Sequence, residues 1–294
     1  MRFPLFDFKF RLKLQPVSVQ FTILGSGSAG NCAYVETTEA RILVDAGFST
    51  RQIRQRLATI GRTPENLSAI LITHEHSDHI SGLLGLADKF QIPVFCNRDT
   101  QDATIWALKT KLDAKKNPPA DSNGHLKKSF DWRLFETGAS FEIGDVGIET
   151  FSIPHDAQDP VGYILRTAAG NIGFATDLGH VTKLVFERIR IANVLVLESN
   201  HDVKMLQDCP RRSWALKQRI LGRHGHLSNV TAAETAAQIM SAGLRQLYLA
   251  HLSRECNTPE IAEHIMSEQL HHIGAKHVKL HIAGQDAPCV TLQL

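Results

Sequence analysis

The strongest constraint in this chain is a run of six residues, 74–79, which reads HEHSDH. In extended backbone, side chains two residues apart point to the same side, so His74 and His76 face one way. A turn after them would direct Asp78 and His79 toward a neighbouring point. Three imidazoles and one carboxylate at this spacing predict ligands for two metal ions. Nitrogen and oxygen ligands without sulfur suit zinc, manganese or iron rather than a redox copper site.

Five apolar segments lead into residues with ionisable side chains, and each has the pattern of a buried strand. Loops at the ends of a rigid sheet are where binding and catalytic residues gather. Taken singly, each of these residues would by default have a core or surface role, but in this order they predict one site. The segments and the residues that follow them are Ser68–Thr73 with His74, Ile148–Ile153 with His155, Ile172–Thr176 with Asp177, Val194–Leu197 with Glu198, and Gln246–Ala250 with His251.

Predicted strands and helices alternate from Val17 onward, which favours a mixed αβ sandwich over a pure barrel. Residues 17–294 are predicted to form one domain of the α/β (α+β) class, since no linker or internal repeat is visible. Residues 1–16 are predicted to be an N-terminal extension, and Lys111 to Ser129 a polar loop insertion. The other predicted strands are Phe21–Leu24, Cys32–Glu36, Arg41–Asp45, Ile92–Cys96 and Tyr163–Arg166. The predicted helices are Ser49–Ile60, Ile80–Phe90, Asp99–Leu108, Pro210–Leu221, Asn229–Ala242 and Thr258–His272.

The composition is that of an ordinary globular protein with 43% hydrophobic and 21% charged residues. Its formal net charge of +2 neither predicts nor excludes a nucleic-acid partner. Fifteen histidines point toward metal or acid–base chemistry. The five scattered cysteines form no C-x-x-C motif, which argues against a disulfide framework and a cysteine zinc site and favours the reducing cytoplasm. No segment has the continuous apolar length of a signal peptide or a membrane span, so no membrane association is predicted.

The order of H-x-H-x-D-H, His155, Asp177 and His251 resembles that of the metallo-β-lactamase superfamily. The resemblance covers nearly the whole chain from Val17. It implies an αββα sandwich in which two mixed β-sheets are flanked by helices, with a site for two divalent metal ions, zinc or manganese. Carried over residue by residue, one ion would be held by His74, His76 and His155. The other would be held by Asp78, His79 and His251, with Asp177 bridging the two.

Five further segments resemble the YycJ/WalJ group of this superfamily, a group of nucleases related to ribonuclease Z. They are GSGSAGN at 25–31, IPHDA at 153–157, LESNHD at 197–202, GHLSN at 225–229 and HLSRECNTP at 251–259. The resemblance implies a cytoplasmic, metal-dependent phosphodiesterase that acts on nucleic acid as a 5′-to-3′ DNA exonuclease. Cys256 departs from the pattern, because an asparagine is expected there. Residues 1–16 also lie outside the family pattern.

The reaction implied by this resemblance uses a hydroxide, activated between two metal ions, that attacks the phosphorus. The predicted catalytic residues are Asp78, His226 and Glu198. His226 would be the general acid toward the departing sugar oxygen, and Glu198 would orient it through a hydrogen bond. The competing interpretation of His226 is a structural residue that caps the helix predicted at Asn229–Ala242.

Two other features have open interpretations. Gly25, Gly27 and Gly30 match a dinucleotide-binding fingerprint, but the segment after them reads as a strand rather than the required helix. The loop is therefore predicted to be a tight turn or, by preference, part of the floor of the active site, where backbone N–H groups can approach a phosphate. Five basic residues could line one face of the predicted Pro210 helix, although such runs are usually solvated. They are Arg211, Arg212, Lys217, Arg219 and Arg223.

Several rival functions use similar residues. A thioester or lactone hydrolase of the glyoxalase II-like type, or a ribonuclease Z-like RNA-processing enzyme, would share the predicted ligands. A flavodiiron-type redox protein is disfavoured, because those proteins place a glutamate where His76 stands and carry a flavodoxin-like domain. A nucleic-acid-binding protein with a structural metal is disfavoured because structural sites are normally closed by cysteine. The oligomeric state is left open.

Overall fold

The computed structural model describes residues 18–113, 130–241 and 243–294. The described residues form two seven-stranded sheets. The strands of the first are β1 (Gln20–Gly25), β2 (Cys32–Glu36), β3 (Arg41–Val44), β4 (Ala69–Leu71), β5 (Val94–Cys96), β6 (Trp132–Leu134) and β14 (Leu292–Gln293). The strands of the second are β7 (Ser140–Ile143), β8 (Val146–Ser152), β9 (Val161–Thr167), β10 (Gly170–Ala175), β11 (Val194–Glu198), β12 (Gln246–Ala250) and β13 (Lys279–Ile282).

The helices among these residues lie on the outer faces of the two sheets or around the site. Their bounds are α1 (Thr50–Thr59), α2 (Ser77–Ile80), α3 (Leu83–Phe90), α4 (Arg98–Asp113), α5 (Lys183–Ile189), α6 (Val203–Asp208), α7 (Trp214–Leu221), α8 (Asn229–Ile239) and α9 (Pro259–His272). Within the described ranges, no helix has both the length and the apolar character needed to cross a membrane.

Each sheet is apolar on both faces, which is why the fold has four layers. In β11, Val194 and Val196 face the core between the two sheets, whereas Leu195 and Leu197 face the core under α5, α8 and α9. The first sheet divides its side chains in the same way between the central core and the core under α1, α3 and α4. Because successive strand residues point to opposite faces, a continuous apolar run is what a strand covered on both sides requires. Each fully buried aliphatic side chain contributes about 1.5–3 kcal/mol.

The strand order places the predicted site residues at one edge of the molecule. The orders are β14-β1-β2-β3-β4-β5-β6 and β13-β12-β11-β10-β9-β8-β7. The pairs from β3 to β6 and from β10 to β13 are parallel, and the remaining pairs are antiparallel, so both sheets are mixed. Parallel neighbours end on the same side, and their carboxyl ends are where α/β sheets place ligands.

Several predicted helices have different boundaries in the structure. The helix predicted at Asp99–Leu108 spans Arg98–Asp113, and the helix predicted at Asn229–Ala242 ends at Ile239. The helix predicted over Ile80–Phe90 is split into α2 and α3, with Gly82 between them. Gly82 N donates to Ala46 O at 2.8 Å, and a Cβ at Gly82 would lie 2.3 Å from Phe48 O. This close approach of two chain segments, not local propensity, breaks the helix.

The helix predicted from Pro210 begins instead at Trp214, because the Ser213 side chain accepts from Leu216 N and caps it. A separate short helix, α6, precedes it and is capped by Asp202. The predicted loop insertion at 111–129 begins later than expected, since α4 continues to Asp113. Residues 114–129 and the predicted extension at 1–16 lie outside the described residues.

Candidate metal centre

The seven predicted metal ligands lie together where the strands end. Asp78 and His79 belong to the short helix α2, and the other five follow strands or the loop after β4. The backbone of two of them is left-handed, with φ of 55° at Asp177 and 57° at His251. Non-glycine residues with positive φ are uncommon and concentrate at functional sites. The chain therefore turns sharply just after β10 and just after β12, and these turns direct Asp177 and His251 into the site.

His74, His76 and His155 form the first group, and one ring nitrogen of each lies within 4.8 Å of the others. His155 Nε2 is 3.3 Å from His76 Nδ1. His74 is fully buried and its Nε2 has no hydrogen-bond partner. Burial, together with the neighbouring His79, holds the pKa of His74 well below its usual range. A neutral buried imidazole with an unpaired nitrogen costs free energy unless a cation binds it.

Asp78, His79, Asp177 and His251 form the second group, again with ligand atoms within 4.8 Å of one another. His251 Nε2 lies 3.3 Å from Asp78 Oδ2 and 3.3 Å from Asp177 Oδ1. Asp177 Oδ2 is buried without a hydrogen bond and lies 3.3 Å from His79 Nε2. Asp177 Oδ1 is also 3.9 Å from His155 Nε2 in the first group. Asp177 is therefore placed between the two groups.

Four of the five histidines are held from behind by their Nδ1 atoms, and this observation tests whether the residues fit a metal. A carbonyl or carboxylate partner at Nδ1, as for His79, His251 and His155, requires the proton there, which leaves the Nε2 lone pair free for a cation. The partner of His74 is the Thr73 hydroxyl, which donates its own proton to Asp45 Oδ1 and therefore accepts from His74 Nδ1, with the same result. The donor set of imidazole nitrogen and carboxylate oxygen thus fits divalent metal ions. The pairs are His79 with Asp45 Oδ2 (2.7 Å), His251 with Glu198 Oε1 (3.0 Å), His155 with Gly225 O (3.2 Å) and His74 with Thr73 Oγ1 (3.0 Å).

Asp45 is a buried site residue that the sequence-based predictions do not include. It follows β3 with φ of 62°. Its carboxylate accepts from His79 Nδ1, from Thr73 N at 2.9 Å and from Thr73 Oγ1 at 3.0 Å. The pattern that identifies the other site residues, an apolar strand followed by an ionisable side chain, also fits Asp45. The predicted strand Arg41–Asp45 includes this residue instead of ending before it.

We expect Asp45→Asn to lower metal affinity or activity by about 10–100-fold, because a hydrogen-bond partner that orients a metal-binding histidine contributes on this scale. Asparagine tolerates the left-handed backbone of Asp45, so the fold should be retained. Metal titration of the purified variant, with thermal unfolding as the check on folding, measures this effect. Unchanged metal affinity in a folded variant would show that Asp45 does not orient His79 for binding.

Glu198 connects His226 to the second group. It is fully buried, and its Oε1 accepts from His226 Nδ1 at 2.8 Å as well as from His251 Nδ1. Its Oε2 accepts from two backbone N–H groups, Leu178 N at 2.8 Å and Leu227 N at 3.0 Å. Burial opposes protonation of His226, but the Glu198 carboxylate outweighs it and raises the pKa of His226. The structure thus brings the predicted His226 and Glu198 together.

His226 faces the open cleft rather than the helix after it. The N-cap of α8 is Ser228, whose side chain accepts from Thr231 N, so the helix-capping interpretation of His226 is wrong. One ligand atom each of Asp177, Glu198, His226 and His251 also lies within 4.8 Å of the others, a third combination that overlaps the second group. His226 is therefore placed either to act on substrate or to bind a cation.

The cleft over the two groups has a volume of about 200 Å³. His76, Asp78 and His226 line it, together with Arg212 and Arg219. The glycine loop at 25–31 contributes Ser28 to the lining, so this loop lies at the site. Asn31 fixes this loop to the site, since its Nδ2 lies 3.1 Å from His79 Nε2 and 3.3 Å from Asp78 Oδ2.

Three comparisons relate the chain to known proteins. A family model described as "Beta-lactamase superfamily domain" matches residues 40–252. The chain is 37% identical to exodeoxyribonuclease WalJ of Streptococcus pneumoniae serotype 2, over 87% of this chain and 90% of that protein. It is 36% identical to exodeoxyribonuclease YycJ of Bacillus anthracis, over 88% of this chain and 91% of that protein. The solved metallo-beta-lactamase fold protein YhfI from Bacillus subtilis is similar with a TM-score of 0.66 and 16% identity, covering 95% of this chain and 100% of that one.

The similarity to YhfI confirms the predicted sandwich of two mixed sheets flanked by helices. The similarity to WalJ and YycJ confirms the predicted resemblance and agrees with the prediction of a metal-dependent nuclease. Fold and ligand groups together indicate that the chain binds divalent metal. The chain therefore belongs to the β-lactamase superfamily, in the group that contains the exodeoxyribonucleases WalJ and YycJ.

Proposed function

We propose that this chain is a metal-dependent phosphodiesterase that degrades DNA from the 5′ end, with residues 17–294 as a single domain that works in the cytoplasm. The observation that carries the proposal is the placement of Asp177 between two ligand groups, with His226 held by Glu198 at the open side. DNA as the substrate is supported by the names of WalJ and YycJ, both exodeoxyribonucleases.

Two ions, zinc or manganese, would fit the seven ligands. His74, His76 and His155 would hold one of them. Asp78, His79 and His251 would hold the other, with Asp177 contacting both. Two such cations supply Lewis-acid stabilisation of a phosphoryl group and lower the pKa of a water molecule.

The protein's own part in the reaction is to position histidines and to move one proton. Asp45 and Glu198 keep the Nδ1 protons of His79 and His251 on the outer side, so both rings present Nε2 to the centre. Glu198 also binds His226 Nδ1, which leaves His226 Nε2 as the atom that donates a proton to the departing sugar oxygen. Because Glu198 is fully buried, its charge acts on both rings with little screening by water.

The proposed function predicts which end of which polymer is consumed first. With zinc or manganese, we expect DNA labelled at its 5′ end to release the label early as a mononucleotide. DNA labelled at its 3′ end should shorten gradually before the label is released. RNA of the same sequence should be cleaved more slowly than DNA, as expected for a relative of two exodeoxyribonucleases.

The rival functions are outcomes of the same experiment. Faster cleavage of RNA would favour the ribonuclease Z-like alternative. Hydrolysis of a thioester or lactone by protein that leaves DNA intact would favour the glyoxalase II-like alternative. Reactions that contain a chelator serve as the control for contaminating nucleases that need no metal.

A further inference from the structure

Helix α7 forms one wall of the cleft but is poorly anchored to the rest of the fold. None of its residues is buried. Leu216 and Ile220 line the cleft, and Ile220 also packs against a small buried cluster behind the helix. That cluster consists of Leu206, Cys209 and Cys256. At the two ends of α7, arginine side chains pair with carboxylates from other segments of the chain.

Those ion pairs involve the two arginines that line the cleft. Arg219, in the last turn of α7, pairs through Nε with Asp156 Oδ2, and Asp156 itself lines the cleft. Arg212, just before α7, has its Nε 2.7 Å from Glu255 Oε2 but makes no hydrogen bond from that atom. The Arg219 side chain is 62% exposed and that of Arg212 is 25% exposed. Pairs in contact with water add little to stability, so another anion can replace the carboxylates at low cost.

The structure distinguishes these two arginines from the basic residues around them. Arg211 shares the partner Glu255, at 3.4 Å, but is 70% exposed and does not line the cleft. Lys217 Nζ donates to Gln207 O at 2.6 Å, and Arg223 contacts His180. Of the five basic residues at 211–223, all within the described part of the chain, two therefore face the site.

The size of the cleft requires most of a nucleic-acid strand to lie outside it. A volume of about 200 Å³ is below the roughly 300–1,000 Å³ of pockets that enclose drug-sized ligands. It can accommodate the reacting phosphate near the metal ligands, but the adjoining nucleotides must pass over the rim. A guanidinium binds phosphate through two parallel hydrogen bonds, a geometry that lysine does not offer.

We propose that Arg212 and Arg219 bind the backbone phosphates next to the scissile bond of a single DNA strand. Each guanidinium exchanges its carboxylate, Glu255 or Asp156, for a phosphate when the strand arrives. Until then the two carboxylates orient the arginine side chains at the cleft. This proposal rests on the proposed nuclease function and assigns the wall of the same cleft a role in holding the substrate.

The test compares Arg212→Ala and Arg219→Ala with the matched control Arg211→Ala, on metal-loaded protein and single-stranded DNA. Loss of a contact made equally in the ground and transition states raises KM and leaves kcat unchanged. We expect KM to rise about tenfold for each cleft arginine, as for the loss of a charged hydrogen bond. The slope of log(1/KM) against log salt should become shallower by about 0.7 for each, since each removes one phosphate contact. Arg211→Ala should change neither.

A second variant tests the exchange of carboxylate for phosphate by changing the carboxylate instead of the arginine. Glu255→Gln removes the charge that competes for Arg212, so KM should fall by about two- to fivefold. Thermal unfolding identifies any variant that fails to fold. If an arginine variant does not fold, Glu255→Gln still tests the proposal. If the wild-type protein degrades DNA while both cleft variants match Arg211→Ala, or while Glu255→Gln leaves KM unchanged, the phosphate-binding role is wrong. A wild-type protein that degrades no nucleic acid would instead contradict the proposed function itself.

Discussion

Asp177→Asn is expected to lose bound metal and to lower the rate of DNA hydrolysis by about a thousandfold, because about 4 kcal/mol of charge stabilisation disappears. Asp177 is 2% exposed and its two oxygens face both ligand groups. Replacing it with a neutral amide leaves the shape of the site and removes the charge. Asparagine also accepts the left-handed backbone at φ of 55°, which alanine would occupy with strain.

Two measurements separate loss of metal from loss of fold in this variant. Elemental analysis of the purified protein should show fewer ions per chain than in the wild type. Thermal unfolding in chelator should show a metal-free variant that is folded as cooperatively as the metal-free wild type. Full metal content with full activity would rule out Asp177 as the ligand between the two groups.

Most strands can be predicted from the sequence, because both faces of each sheet are covered and the strands are therefore continuous apolar runs. The apolar run Val194–Leu197, for example, matches β11, and Glu198 is the last residue of that strand. Caps were equally predictable, since the chemistry of a cap is local. Thr258 caps α9 and Ser228 caps α8, and both belong to the residue types that favour the N-cap position.

The features that were missed depend on contacts between residues far apart in the chain. Asp45 acquires its role from His79, thirty-four residues later. Gly82 breaks a helix because the segment at Ala46 passes beside it. Arg212 and Arg219 are distinguished from Arg211 by their position at a cleft that the whole fold creates. Hydrophobic periodicity and residue type carry no information about such encounters.

The same limit applies to Glu198. Its contact with His226 was predicted from the resemblance, but its second contact, with His251, was not. One buried carboxylate therefore serves both a predicted metal ligand and the predicted general acid. This sharing explains why the carboxylate is surrounded by two backbone donors as well, since a buried charge without hydrogen bonds would be costly. It also means that the role of His226 must be tested by changing His226 itself.

His226→Ala is expected to lower kcat on DNA by at least about a hundredfold while metal content stays at the wild-type level. The reason is that the departing sugar oxygen is a poor leaving group without a proton, and His226 Nε2 faces the cleft while Nδ1 is held by Glu198. A phosphodiester with a p-nitrophenyl leaving group needs no proton at that oxygen. On this substrate the variant should recover to within about tenfold of the wild type, since leaving-group protonation is the only contribution removed.

The matched control is His224→Ala, which alters an exposed histidine two residues away in the same loop and should leave both substrates unaffected. A uniform loss on DNA and on the p-nitrophenyl ester would argue against proton donation. Loss of metal from His226→Ala would instead place His226 among the ligands, through its group with Asp177, Glu198 and His251. Because the geometry allows either use of the ring, metal content and leaving-group dependence together distinguish a proton donor from a ligand.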